Sequence, residues 1–297
     1  MNRIFSAVLG ILISIQINTR AEIQQKDSLY IKLEQASLCE KPGIINTFLN
    51  DAFIRSHPDS ALNLANQARL LAARCNDKKE LGDAIMHIAN YFYHKPEFDT
   101  TLILYRQAKD LFFQAKQTSG LGAAYCGMGN CYMEMGKYTL AKPCYDTALT
   151  WIQQTNDSVN YGVILLSYGL YYKNLSNYEK ALKYYKKALK IARINNMDGL
   201  IVNAINNISN LYSLLNKPER AVKYLKENLA ILKQSNDQFK LAVTYLNLGA
   251  NYSSLKKLDT ALLYYLKSYK IFKELEILSP IATATNNIGI VYSKTKD

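Results

Sequence analysis

Residues 169–188 read GLYYKNLSNYEKALKYYKKA, and the spacing of small and aromatic side chains within them decides the fold. Gly169 is followed after 3 residues by Tyr172, after 12 by Ala181, after 16 by Tyr185 and after 19 by Ala188. The same five positions recur every 40 residues. The small position holds Ala89, Gly129, Gly169, Ser209, Gly249 and Gly289, with Leu49 upstream, and the ring after it is Phe92, Tyr132, Tyr172, Tyr212, Tyr252 or Tyr292, with Ala52 as the exception. Then come Ala61, Thr101, Ala141, Ala181, Ala221 and Ala261; next Ala65, Tyr105, Tyr145, Tyr185, Leu225 and Tyr265; and last Ala68, Ala108, Ala148, Ala188, Asn228 and Ser268. Register held over six units marks a structural repeat.

Within each unit the two clusters advance in helical steps of three and four, and a polar stretch such as Met135-Gly136-Lys137 or Leu175-Ser176-Asn177 separates them. Each unit is therefore two helices. The first helices are predicted around 80–94, 119–135, 158–175, 198–215, 238–255 and 280–294, and the second around 59–75, 97–117, 137–154, 177–195, 217–234 and 257–275. Pro58, Pro96, Pro218 and Pro280 fall at or near first turns, where a missing amide hydrogen costs little. Pro143 lies deeper and predicts a kink or a later helix start. The small residue is expected to let two helix backbones approach, with the ring three residues on filling the space beside the contact. A single pair cannot cover its own apolar stripe, so the pairs must stack.

The bulk composition agrees. At 297 residues and 49% apolar content the chain can bury a large core, which excludes disorder, while 13 Gly and 6 Pro are too few to turn an all-β protein of this length. The net charge of +12 permits anionic partners without selecting one. Its densest stretch, Lys180, Lys183, Lys186, Lys187, Lys190 and Arg193, coats one side of a helix as a solvated outer face. No nucleic-acid recognition motif accompanies it, and nucleic acid is not an expected partner. Arg3, the apolar run Ile4 to Ile17 and Thr19-Arg20-Ala21 read as an export signal over residues 1–21, cut after Ala21. An uncleaved anchor is the weaker reading, because the run is shorter than the roughly 20 residues that span a bilayer. Residues 22–43 are then an N-terminal helix and linker, and the protein is expected to be exported, periplasmic or envelope-associated. Of five cysteines at least one is unpaired; whether Cys39 and Cys75 pair is open, and Cys126 and Cys131 read as small core residues.

The pattern of small-x-x-aromatic followed by alanine, aromatic and alanine at fixed offsets resembles the tetratricopeptide repeat (TPR) family over residues 44–297. The departure is the 40-residue period against the family's usual ~34. The extra length is assigned to the end of each second helix and the start of the next first helix, as in the long-helix subclass of bacterial peptide-sensing regulators and some cargo adaptors. The resemblance implies an all-α fold, a right-handed α-α superhelix of about six helix pairs plus a terminal helix, in units of about 44–78, 79–118, 119–156, 157–196, 197–236 and 237–276 with a partial unit at 277–297.

The resemblance also implies a ligand groove on the first helices, opposite their packing positions. Here that stripe holds Asp83, His87, Asn90 and His94; Asn130; Asn203, Asn206, Asn207 and Asn210; Asn247; and Asn286 and Asn287. Asn203, Asn207 and Asn210 share one helical face and present both donors and acceptors, which suits a peptide backbone. Asparagine is a poor helix former, so its repetition needs a hydrogen-bonding role, either to a ligand or between neighbouring helices. Asp83 and His87 could reach one ion, but His94 lies about 10 Å further along the helix, and no metal site or cofactor is expected. Nothing resembles a catalytic constellation or a phosphate loop, so the expectation is not an enzyme but a binder of a protein or peptide partner. The sequons at Asn174 and Asn207 follow from the repeat and carry no weight.

The last unit keeps Gly289 and Tyr292 and stops at Asp297, with Ile288, Ile290 and Val291 making its helix apolar for a terminal cap. A longer chain and an unconventional cap are both open. Exported arrays of this kind resemble the sensor halves of bacterial membrane signalling proteins, which implies membrane attachment through residues beyond 297. The alternative is a scaffold that assembles a complex through its outer face and ends, with anionic-polymer binding as a third reading.

Overall fold

The computed structural model describes residues 20–49, 53–54, 57–235 and 237–295. The export signal lies outside the described residues up to residue 19; Arg20 and Ala21 open the first helix. Fourteen helices and no strand are present among the described residues: α1 (Arg20–Gln35), α2 (Lys41–Phe48), α3 (Pro58–Arg74), α4 (Lys78–His94), α5 (Phe98–Gln114), α6 (Thr118–Glu134), α7 (Tyr138–Ile152), α8 (Ser158–Asn174), α9 (Tyr178–Ile194), α10 (Asp198–Leu214), α11 (Pro218–Leu232), α12 (Gln238–Ser254), α13 (Leu258–Glu274) and α14 (Leu278–Thr295). The fold is all-α, helix pairs in chain order from α2 to α13 followed by α14, and each of α3 to α14 lies within three residues of its predicted ends. Among the described residues no helix is long and apolar enough to cross a membrane.

The 40-residue period is two modules of 20. Asn76, Lys116, Gly136, Ser176, Asn196, Asn216, Lys256 and Glu276 all stand at φ between +51° and +71°, and Pro96 holds the same place in its joint. This left-handed residue ends a helix, and the next amide turns back five residues: Asp77 to the Ala72 carbonyl at 3.0 Å, Lys137 to Tyr132 at 2.8 Å and Lys217 to Tyr212 at 2.9 Å. These are the hydrogen bonds of a Schellman-type stop. The following helix starts at once, in several cases under an Asp or Asn cap, as where Asp77 accepts from the Glu80 amide and Asp237 from the Lys240 amide, both at 3.0 Å. Most repeat helices thus have 17 residues and joints of three, which accounts for the period. α7 and α11 stop two residues short, and there Thr155 and Ser235 hydroxyls accept the Asp157 and Asp237 amides. α7 starts at Tyr138, one residue later than predicted, and continues through Pro143.

The chain divides into two compact units, Met1–Asn160 and Tyr161–Asp297. In the first, α2 packs on α3 and α4 over a core of Leu29, Leu33, Ile45, Leu64, Leu71 and Ile88. A disulfide between Cys39 and Cys75, with Cα atoms 5.6 Å apart, ties the α1–α2 connection to the end of α3. Asn46 donates to both the carbonyl and the carboxylate of Glu80, at 3.0 and 2.8 Å, and joins α2 to α4. Cys126 and Cys131 are buried thiols, and burial pushes the Cys131 thiol up to about 12. In the second unit the helices from α9 to α14 pack each on the next. Val202, Leu225, Leu232 and Leu248 form one core and Ala261, Tyr265 and Val291 another.

The packing role of the small position differs from the expected backbone approach. A Cβ built on Gly129, Gly169 or Gly249 would lie 2.7, 2.4 or 2.6 Å from the ring of Tyr145, Tyr185 or Tyr265. The glycine is a seat for the second-helix tyrosine 16 residues on. The ring three residues after the glycine packs elsewhere, Tyr172 stacking on Tyr184 and Tyr252 on Tyr264, both at 5.5 Å between centroids and within 12° of parallel.

Candidate functional site

In the first unit, three of the predicted groove residues come together. Asp83, His87 and Asn90 of α4 line an open cleft of about 360 Å³ with Lys79, Met86, Gln117, Ser119, Gly120, Ala123 and Asn160. Its floor is the Phe112 ring, 1% exposed, which fits between α4 and α6 because Gly82 and Gly120 lack a Cβ that would come within 2.7 and 2.5 Å of it. One rim carries charge. Lys79 contacts Glu80 at 2.5 Å and Asp83 at 3.0 Å. Burial dominates at Asp83 and holds its carboxyl above the usual aspartate range, with the Lys79 contact only partly offsetting it. At Lys79 burial works against the charge, but the Glu80 and Asp83 carboxylates outweigh it and raise its pKa.

The other rim is a closed polar network. Ser119 donates to Asp157, and the Asn160 amide group reaches Asp157 at 2.7 Å and Ser119 Oγ at 3.1 Å, while the Asn160 backbone N–H donates to Asp157 at 2.9 Å. Burial opposes ionisation of Asp157, yet these donors hold its carboxyl below the usual range. Lys79, Ser119 and Asn160 were absent from the predicted set. Ser119 is Lys79 plus one period and Asn160 is Gly120 plus one period, so projecting the first turn of α4 through the repeat would have found them. His94 is not part of the cleft: it is exposed, its ring edge-on to Tyr93 at 5.6 Å.

The asparagines separate into two classes. Asn90 accepts from the Tyr105 hydroxyl at 2.6 Å and Asn130 from the Tyr145 hydroxyl at 2.8 Å, each bond closing a helix pair from inside. Asn206 accepts at 2.9 Å from Asn228, which stands fully buried where most other units have a small residue and also donates to the Val202 carbonyl at 3.1 Å. Asn203, Asn207, Asn210, Asn247, Asn286 and Asn287 form the second class: their side chains take no intramolecular hydrogen bond among the described residues. On α10, Asn203 and Asn207 are half-buried and Asn210 is exposed, in one row. Asn247 of α12 is half-buried; on α14, Asn286 is exposed and Asn287 half-buried. The row is flanked by a tie that the repeat pattern does not announce, Ser213 Oγ donating to Asn251 at 2.8 Å between α10 and α12.

The position after the small residue explains which asparagines are engaged. Asn90 and Asn130 face Tyr105 and Tyr145. Asn210 meets no such hydroxyl, because the tyrosine is replaced by Leu225. In the intervening unit the exchange runs the other way: Leu170 takes the asparagine's place and the Tyr185 hydroxyl is buried without a partner. Among the described residues no three His, Cys, Asp or Glu come together as a metal site.

The arrangement can hold polypeptide through amides and a polar cleft. Comparison with known proteins agrees with the repeat reading. The tetratricopeptide repeat model matches residues 120–194 and 200–274. No curated protein matches the chain by sequence. Among solved structures it is similar to a signal transduction ATPase (STAND) protein with a tetratricopeptide repeat sensor from Pyrococcus horikoshii, at TM-score 0.73 and 17% identity over 98% of this chain and 43% of that one. It is similar to a Rap protein complexed with Competence and Sporulation Factor, at TM-score 0.60 and 14% identity over 99% and 96% of the two chains. It is also similar to BtubC from P. vanneervenii, at TM-score 0.59 and 22% identity over 65% and 80%. With the family model matched over half its length on helix pairs that repeat in register, the chain belongs to the tetratricopeptide repeat family.

Proposed function

We propose that this protein is a non-enzymatic receptor for a peptide or protein segment, exported to the cell envelope, where it serves as an adaptor or as the sensor part of a signalling protein. The observation that carries the reading is the row Asn203, Asn207 and Asn210, whose amides are accessible and make no hydrogen bond among the described residues. Each asparagine costs a few tenths of a kcal/mol of helix propensity, and no side-chain hydrogen bond among the described residues offsets it. An extended backbone repeats a donor and an acceptor at each residue, and carboxamides match both. The cleft beside Asp83 and His87 adds a second polar recess on the first helices. Export is supported by the signal-like residues 1–21 and by the Cys39–Cys75 disulfide, a bond kept in oxidising compartments. The similar STAND protein uses its tetratricopeptide repeats as a sensor, and the similar Rap protein holds a factor, which motivates the same search here.

The test is a pull-down from envelope extract with residues 22–297, beside an Asn203→Ala, Asn207→Ala, Asn210→Ala variant of unchanged helicity and an Asp83→Ala, His87→Ala variant. A partner lost by either variant, and then measured directly at lower affinity for it, supports the receptor. Identical partners on all three would favour the scaffold reading. That reading has its own observation: Lys183, Lys186, Lys187 and Lys190 stand exposed along α9.

A further inference from the structure

The asparagines left unengaged on the first helices fall into register across the repeat. Asn207, Asn247 and Asn287 stand 40 residues apart, at one repeat position of α10, α12 and α14, and Ser167 holds that position on α8. All four side chains are half-buried, and none takes a hydrogen bond among the described residues. α10 touches α12 and α12 touches α14, and the bond from Ser213 to Asn251 pins the first of these contacts at 2.8 Å. This row therefore crosses the helices with one polar side chain per repeat unit, whereas Asn203, Asn207 and Asn210 run along a single helix. The flanking positions, four residues before and three after, are uncharged on all four helices, in a chain that is 20% charged. On α8 and α12 they are apolar: Val163 and Ala250 are exposed, Leu170 and Val243 half-buried.

Spacing selects the conformation of a ligand lying along this row. Packed helices stand about 8–10 Å apart, which sets the interval between successive amides. A helical ligand has its backbone groups bonded to one another and offers carboxamides nothing. A strand presents its groups to one edge every second residue, about 6.6 Å, or every fourth, about 13 Å, and misses the interval. A polyproline II chain turns once in three residues at about 3.1 Å each, so the same face returns every ~9.3 Å with its backbone groups unbonded. Being preformed, it also loses less conformational freedom on binding than a flexible segment. Its proline rings are apolar and uncharged, like the borders of the row on α8 and α12. Carboxamides donate to its carbonyls and accept from the N–H of any residue that is not proline. Within the receptor reading, on which this rests, we propose that Ser167, Asn207, Asn247 and Asn287 bind a proline-rich polypeptide segment in the polyproline II conformation. One three-residue turn spans each repeat unit, and a residue other than proline faces each amide.

The probes are labelled peptides of equal length, titrated against the full chain by fluorescence anisotropy: (Pro-Pro-Ser)4, (Pro-Pro-Pro-Ser)3 with the same conformation but the wrong period, and flexible (Gly-Gly-Ser)4. The expected result is saturable binding of (Pro-Pro-Ser)4, one peptide per chain, at least tenfold tighter than either comparator and weakened at least tenfold by Asn207→Ala with Asn247→Ala. Alanine removes no internal hydrogen bond at these positions and is the better helix former, so the variant should keep its helicity and Tm. Equal or tighter binding of either comparator, still lost in the variant, overturns the polyproline assignment and leaves the receptor reading standing. Binding of (Pro-Pro-Ser)4 that is indifferent to the variant, or no binding of it, also overturns the assignment. The receptor reading then stands or falls on the envelope pull-down, whose outcome does not depend on proline.

Discussion

The exchange of partners at Leu170 and Tyr185 makes a quantitative prediction. Tyr145 and Tyr185 occupy equivalent places, both fully buried in glycine seats, but Tyr145 donates to Asn130 at 2.8 Å and the Tyr185 hydroxyl has no partner. A satisfied hydrogen bond is worth about 0.5–1.5 kcal/mol net, whereas a buried hydroxyl left unsatisfied costs about 1–3 kcal/mol. Tyr145→Phe should therefore destabilise by about 1 kcal/mol, and Tyr185→Phe should stabilise by about 1 kcal/mol with the ring packing unchanged. Restoring the missing amide by Leu170→Asn sacrifices apolar contact of a half-buried leucine, so alone it should be near neutral. Combined with Tyr185→Phe it should lose its compensation. The interaction energy across the Leu170→Asn/Tyr185→Phe cycle should be about 1 kcal/mol. Urea titrations of the four chains measure this, provided the m-values agree, since repeat arrays depart from two-state unfolding. Equal destabilisation by Tyr145→Phe and Tyr185→Phe, or a cycle energy near zero, would refute the pairing rule.

Other perturbations follow from the joints, the disulfide and the cleft. The Cys39–Cys75 bond spans 36 residues, and loop-closure entropy assigns it about 4 kcal/mol, so Cys39→Ser with Cys75→Ser, or reductant, should lower the denaturation midpoint of the first unit while leaving the second unit's amide exchange unchanged. Lys256 stands at φ +57°, a conformation costing a side-chain-bearing residue about 1–2 kcal/mol; Lys256→Gly should stabilise by about 0.5 kcal/mol after the greater unfolded-state entropy of glycine, and Gly136→Lys should destabilise, both read by thermal melts. Asp83 has its folded pKa raised chiefly by burial, so the folded state holds the proton more tightly and stability falls as pH rises through the range above the ordinary aspartate value. Asp83→Asn should flatten that decline in Tm, and a carboxyl titration of Asp83 by NMR with a midpoint at or below the ordinary value would contradict it.

The fold was legible because the same steric demand is written many times over: a seat without a side chain, a ring 16 residues later to fill it, and small residues on either side. What the repeat did not disclose was the reason for the small residue, since backbone approach and ring accommodation select the same amino acids. The candidate site was legible only in part, for a related reason. Spacing places Asn90, Asn130 and Asn210 at one repeat position, but whether each amide is available depends on the residue 15 positions on, in another helix. Tyrosine there engages the amide, as at Asn90 and Asn130; leucine at 225 leaves Asn210 accessible. Asn206 is engaged by a different route, through Asn228 at a position most other units fill with Ala or Ser. An asparagine on a first helix is thus evidence for ligand binding only after its second-helix counterpart has been read. By that criterion the unengaged side chains concentrate on α10, α12 and α14, and the first unit contributes instead the cleft that Phe112 floors.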